Sequence, residues 1–216
     1  MIFTLKPNRD QTDREEIANS ISHGIGLACS IIAAPFLIMY AVIHGDFWAI
    51  FGSSVFIATA IVLYLSSTMY HSLNHGRLKE VFHIVDHSAI FLLIAGTYTP
   101  ITLGVLKGTT GWVLFAIVWS IAIIGIILKI RIGARHMKLW LTLYIAMGLL
   151  IVVAIRPLIE AMMPAGLIWI AAGGAAYLIG VIFFTMPHRN FAHLIWHILV
   201  ITGTACHFVA VLFYTI

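Results

Sequence analysis

Apolar residues run almost unbroken for about twenty positions at a time along this chain, and the interruptions are short and polar. Seven such runs fall at about 18–43, 48–73, 81–105, 112–130, 139–155, 165–185 and 191–215. A helix crossing a bilayer needs roughly 20 apolar residues, and each run meets or approaches that length. The breaks carry turn or charge chemistry: His44-Gly45-Asp46, Asn74-His75-Gly76-Arg77, Lys107-Gly108-Thr109, the basic stretch Lys129 to Lys138, Arg156-Pro157, and Pro187 to Asn190. Membrane-barrel strands are only roughly 9–11 residues long and alternate apolar with polar, which these runs do not. The pattern predicts an all-α fold, a seven-transmembrane-helix bundle. A short N-terminal segment, 1–17, precedes one integral membrane domain, 18–216, with no internal repeat. Gly96 and Pro100 inside the third run predict a kink.

Charge sets the expected orientation. The N-terminus and the loops after spans two, four and six hold Lys6, Arg9, Arg14, Arg77, Lys79, Lys129, Arg131, Arg135, Lys138 and Arg189. The other side holds only Lys107 and Arg156. Basic residues accumulate on the cytoplasmic side, so the N-terminus is expected there and the C-terminus outside the cytoplasm. Trp48 and Trp112 then fall at the outer interface and Trp140 at the inner one, as an aromatic belt.

Composition narrows the class. Charged residues make up 9% of the 216 and hydrophobic residues 62%. Soluble domains carry roughly 25% charge. A soluble enzyme, a disordered chain and a disulfide scaffold are therefore excluded, and a multi-pass protein of the plasma membrane is expected. The net charge of +4 belongs to membrane-flanking loops, so membrane lipids are the expected partners and nucleic acid is not. Cys29 and Cys206 lie in apolar runs and read as small core residues. The polar first 18 residues, mixed in charge, do not read as a cleaved signal.

One feature stands out against this background: 11 histidines outnumber the 8 acidic residues. The topology puts His23, His71, His75, His83, His87, His136, His188, His193 and His197 on the inner side, leaving only His44 and His207. Three pairs have i, i+4 spacing: His71/His75, His83/His87 and His193/His197. On a helix that spacing puts both rings on one face, where they can share a metal. Spacing does not choose among the pairs. His75 lies beside Gly76, which makes a shared helical face with His71 doubtful. His193 and His197 lie inside a long apolar run and are the costliest to explain as solvation. Ser67 stands one turn before His71. Asp86 is a carboxylate inside the inner end of a span, where it needs a partner; it either orients a water or satisfies a helix N-terminus. Glu16, Asn19 and His23 share one face of the first span and read as structural polar groups, as does His207, about 15 Å along its helix from His197.

These residues also carry a family resemblance. Glu15 to Gly24 (EEIANSISHG), Ser66 to His71 (SSTMYH), Asp86-His87-Ser88 leading to Ala95 to Pro100 (AGTYTP), and His193 to His197 (HLIWH) followed by Cys206-His207-Phe208 resemble, in order, the hemolysin III family. This is the bacterial branch of the progestin and adipoQ receptor family, related to the alkaline ceramidases. The resemblance covers almost the whole chain. It implies a Zn²⁺ site near the cytoplasmic face held by His71, His193 and His197, with Asp86 and Ser67 beside it as catalytic groups. It thereby selects one histidine pair and demotes His75, His83 and His87.

Three functions follow as expectations. The first is a zinc-dependent, ceramidase-like hydrolase acting on a lipid amide or ester. The second is a non-enzymatic hemolysin, or a sensor of membrane homeostasis, with structural zinc. The third, ion or proton transport, fits poorly, because ion pathways carry ionisable groups near the midplane and here they cluster at one face.

Overall fold

The computed structural model describes residues 11–133 and 136–216, which leaves Lys6, Arg9 and Arg135 of the charge count outside the described residues. The elements are α1 (Asp13–His44), α2 (Phe47–Ser72), α3 (Arg77–Pro100) continued by a π-helical turn (Ile101–Leu106), α4 (Gly108–Ile132), α5 (Met137–Leu149) joined through a 3₁₀ stretch (Leu150–Ala154) to α6 (Ile155–Ala161), α7 (Pro164–Phe184) and α8 (Ala192–Tyr214). With α3 and its π turn as one unit, and α5 with α6 as another, seven helices among the described residues are long and apolar enough to cross a membrane. No strand occurs among the described residues. The protein is a seven-helix, multi-pass membrane protein; in a bacterial cell that membrane is the plasma membrane.

Local chemistry explains the helix ends. Thr12 and Glu15 form a reciprocal capping box that starts α1 at Asp13, five residues before the apolar run begins. Asp46 caps α2, accepting hydrogen bonds from the Trp48 and Ala49 amides at 2.9 Å each. The kink expected in the third span is a π turn: Pro100 lacks a donor, and the Lys107 amide reaches back five residues to the Thr102 carbonyl at 3.1 Å. Arg156-Pro157 does not end the fifth span, contrary to the sequence reading. Both residues lie in α6, and the irregularity sits earlier, in the 3₁₀ stretch. The Tyr98 hydroxyl repairs that stretch. It donates to the Gly148 carbonyl and accepts from the Ile151 amide, both at 2.8 Å.

α3 is the most buried span, with α2 and α4 packed against it. α1 lies between α2 and α8, and α7 packs along α8. Gly96 lets α2 and α3 approach: a Cβ there would collide with the Thr59 side chain. The outer surface is studded with Ile17, Ile32, Phe36, Val153 and Ile168, as a lipid-facing surface requires. Cys29 is on this exposed surface and Cys206 is half-buried, so the reading of both as core residues is corrected. Trp48 and Trp112 pack edge to face with centroids 5.1 Å apart. Trp140 is corrected as well. It is fully buried rather than belted at an interface, because a lysine stands over its ring.

Candidate metal centre

The starts of α1, α3, α5 and α8 and the ends of α2 and α4 gather at the N-terminal face, and their polar residues meet inside it. His71 comes from the last turn of α2. His193 and His197 come from the first two turns of α8. One ligand atom from each of the three lies within 4.8 Å of the others. His71 and His197 are buried and His193 is half-buried.

The two buried rings are oriented by α1. The Nδ1–H of His71 donates to the Glu16 carboxylate at 2.7 Å. Glu16 also pairs with the Lys79 ammonium at 3.1 Å. The Nδ1–H of His197 donates to the Asn19 carbonyl at 3.2 Å, with the Ser22 hydroxyl 3.1 Å from the same nitrogen. Both contacts put the proton on Nδ1 and leave Nε2 with a free lone pair, the form a metal takes. Nε2 of His71 is buried without a hydrogen-bond partner among the described residues. An orphaned buried acceptor at the centre of a three-histidine cluster fits a divalent cation, and neutral imidazole donors suit zinc.

His23 approaches closely but faces differently. Its ring stacks on that of His197 with centroids 3.5 Å apart and planes inclined by only 8°. Each ring's lone pairs lie in its own plane. An ion in the plane of His197 therefore lies well out of the plane of His23, and the stacked ring is no fourth ligand. A three-histidine set would supply three of the four ligands of a tetrahedral ion.

Below the triad lies a cavity of about 170 Å³, measured for water-sized groups. Its walls are mainly apolar, including Leu63, Leu93, Ile145 and Val200, and His193, His197, Ser67 and Asp86 stand at its polar end. α5 and α7 form the outer walls, where Leu149 and Leu178 remain part-exposed, so the cavity reaches the lipid-facing surface between them. Asp86 and Ser67 adjoin one another, with the Ser67 hydroxyl turned toward the Asp86 carboxyl. His207 lines the cavity as well, with Nε2–H donating to the Ile170 carbonyl at 3.2 Å. A wider polar vestibule opens on the N-terminal face, lined by residues such as Glu16, His75, Glu80 and His83.

Sequence reasoning missed three groups. Glu15 accepts from the Phe191 amide at 2.8 Å, fixing the chain where it enters α8 in a left-handed conformation (φ 57°). The Thr12/Glu15 spacing was the available signal. Ser22, beside His197, gave none. Lys129, read as part of a basic loop, is fully buried near Asp86; its ammonium donates to the Tyr144 hydroxyl at 2.7 Å and lies 4.8 Å from the Trp140 ring centre. Tyr144 in turn donates to the His87 carbonyl at 2.6 Å.

A family model described as Haemolysin-III related matches residues 11–208 of this chain. The chain belongs to the haemolysin-III related family. It is 45% identical over 205 residues to the "Hemolysin-3 homolog" of Bacillus subtilis, covering 95% of this chain and 96% of that protein. It is 47% identical over 203 residues to "Hemolysin-3" of Bacillus cereus, covering 94% and 93%. A more distant relative is the human "Monocyte to macrophage differentiation factor", 27% identical over 210 residues, 91% of this chain and 83% of that protein. This breadth agrees with the resemblance to the progestin and adipoQ receptor family.

Proposed function

We propose that this protein is an intramembrane zinc-dependent hydrolase of lipid amides or esters. The observation that carries the reading is a three-histidine cluster with an orphaned Nε2, set at the polar end of an apolar cavity that opens toward lipid. His71, His193 and His197 would hold the ion. Bound zinc supplies Lewis acidity, acidifying water and polarising a carbonyl. The apolar walls take an acyl chain and exclude bulk water from the polar end. Asp86 accepts a proton from the attacking water and returns it to the leaving nitrogen or oxygen. Ser67, beside Asp86, donates to the developing oxyanion. Glu16 and the Asn19 carbonyl hold two of the three imidazoles in the required tautomer.

The test uses the full chain in lipid nanodiscs. Elemental analysis is expected to find about one zinc per chain, a stoichiometry set by a single three-histidine site. A panel of long-chain amides and esters is then scored for release of fatty acid. Asp86→Ala is expected to retain zinc and lose turnover by roughly 10²-fold or more, as for a general acid–base group. Bound zinc with no turnover on any member of the panel would overturn the enzyme reading.

The names of the Bacillus relatives supply a second reading: a haemolysin in which the metal only ties α2 to α8. Lysis of erythrocytes by the purified chain would favour it. Lysis confined to crude extracts of overexpressing cells would remove it.

A further inference from the structure

Three of the eight histidines that the metal centre leaves over gather beside one of its ligands. His75, His83, His87 and His193 all line the vestibule, from an exposed loop at its mouth to the triad at its floor. The His83 ring stacks on Tyr70 at 5.0 Å, and the His83 and His87 centroids are 4.5 Å apart. Tyr70 in turn packs against His71 at 4.6 Å. His87, Phe184 and His193 line both the vestibule and the apolar cavity, so this trio forms the partition between them. The Phe184 ring lies 6.1 Å from His87 and 5.9 Å from His193. No side-chain or backbone hydrogen bond from a described residue ties down the His83 or His87 ring. Both rings are half-buried rather than sealed.

An ion has to reach a triad enclosed by protein. The apolar cavity is a poor route, since a cation stripped of water in such surroundings carries a large desolvation penalty. The vestibule opens on the polar face, measures about 440 Å³ for water-sized groups, and bears carboxylates of Glu15, Glu16 and Glu80. Its lysine, Lys79, is paired with Glu16 and with the Tyr70 and Leu73 carbonyls; its arginine, Arg189, is exposed. Zinc–imidazole bonds are about 2.0–2.1 Å. Rings spaced like His83 and His87 can therefore pass an ion inward by exchanging one ligand at a time. We propose that His75, His83 and His87 are the loading route of the metal, a series of transient imidazole ligands from the N-terminal face past Phe184 to His193. The proposal rests on the triad being the metal centre, and not on hydrolysis.

Zinc-free full-length protein in nanodiscs is mixed with a chromophoric zinc–chelator complex, and transfer of zinc is followed by absorbance. The wild type is expected to take up about one zinc per chain. His83→Phe/His87→Phe is expected to reach the same final stoichiometry at least tenfold more slowly. Removal of zinc by excess chelator is expected to slow by the same factor, since entry and exit share one path. The single variants His83→Asn and His87→Asn are expected to give smaller slowing, and they keep the test alive if the double variant fails to fold. His44→Phe, on the opposite face, is expected to load at the wild-type rate. Unchanged rates in the vestibule variants would overturn the route. So would a folded vestibule variant that binds less zinc at equilibrium, or a wild type that holds a second zinc at His83 and His87. A wild type that takes up no zinc would instead sink the triad reading, and the route with it.

Discussion

His71 uses its two nitrogens for opposite tasks. Nδ1–H is committed to Glu16 at 2.7 Å, and Nε2 is left buried and unpaired. A carboxylate on the far nitrogen makes imidazole a better ligand and fixes its rotation, and losing such a partner lowers metal affinity by roughly 10–100-fold. Glu16→Gln is therefore expected to weaken zinc binding within that range while preserving the fold; chelator competition measures it. Equal affinity in the two proteins would reduce Glu16 to a packing group. Glu16, Asn19 and His23 share a stripe legible in the sequence, since i, i+3, i+7 spacing defines a face. What that face meets was not legible, because spacing along one helix says nothing about its neighbours. The same limit left three histidine pairs open until a family likeness chose one. Lys129 was hidden for a different reason: a basic residue at the end of a span ordinarily reaches for headgroups, whereas this one turns inward to Tyr144 and Trp140.

At the scale of elements, the seven spans were readable because bilayer thickness fixes their length and apolarity. Their irregularities were only partly so. Pro100 announced the π turn, but no residue announces the 3₁₀ stretch 150–154, which depends on a tyrosine from another span. The Tyr98 hydroxyl serves both sides of that break, donating to Gly148 and accepting from Ile151. Tyr98→Phe leaves a carbonyl and an amide without their partner in an apolar interior. It is expected to cost about 1–3 kcal/mol, read as a lower unfolding temperature in detergent. An unchanged midpoint would mean water replaces the hydroxyl. On the opposite face, Asp46 caps α2, and its carboxyl is held below its ordinary value by the Ala49 amide and by Lys107, 3.5 Å away. A lowered carboxylate value stabilises the fold above the unfolded value and loses that contribution as pH falls through the folded one. Asp46→Asn is thus expected to be less stable than wild type at pH 7, with the gap closing as pH drops below about 3.8, the ordinary value for Asp. A gap that stays constant however far the pH is lowered below the ordinary value would assign the difference to geometry rather than charge.

For the molecule as a whole, the site, the vestibule and most of the histidines lie at one end of the bundle, and the side of the membrane this end faces decides which compartment supplies the metal. Basic residues argue for the cytoplasm. By sequence, ten of the twelve lysines and arginines belong to the N-terminal segment and the segments after the second, fourth and sixth spans, against Lys107 and Arg156 on the other side. Two of the ten weaken the count without reversing it: Lys79 and Lys129 are buried against Glu16 and Tyr144 and serve the interior. Glu16, Asp86 and the triad add no opposing signal, since acidic residues contribute little to orientation. The N-terminal face is therefore expected in the cytoplasm. Single cysteines report this directly in intact cells, once Cys29 and Cys206 are replaced by serine. His75→Cys, in the exposed loop after α2, is expected to react with a membrane-impermeant maleimide only after permeabilisation. Lys107→Cys, in the turn before α4, is expected to react without it. The reverse pattern would put the vestibule outside, and zinc would then load from the extracellular medium rather than from the buffered cytoplasmic pool. Labelling of both sites in sealed cells would mean mixed insertion, against the direction of the charge bias.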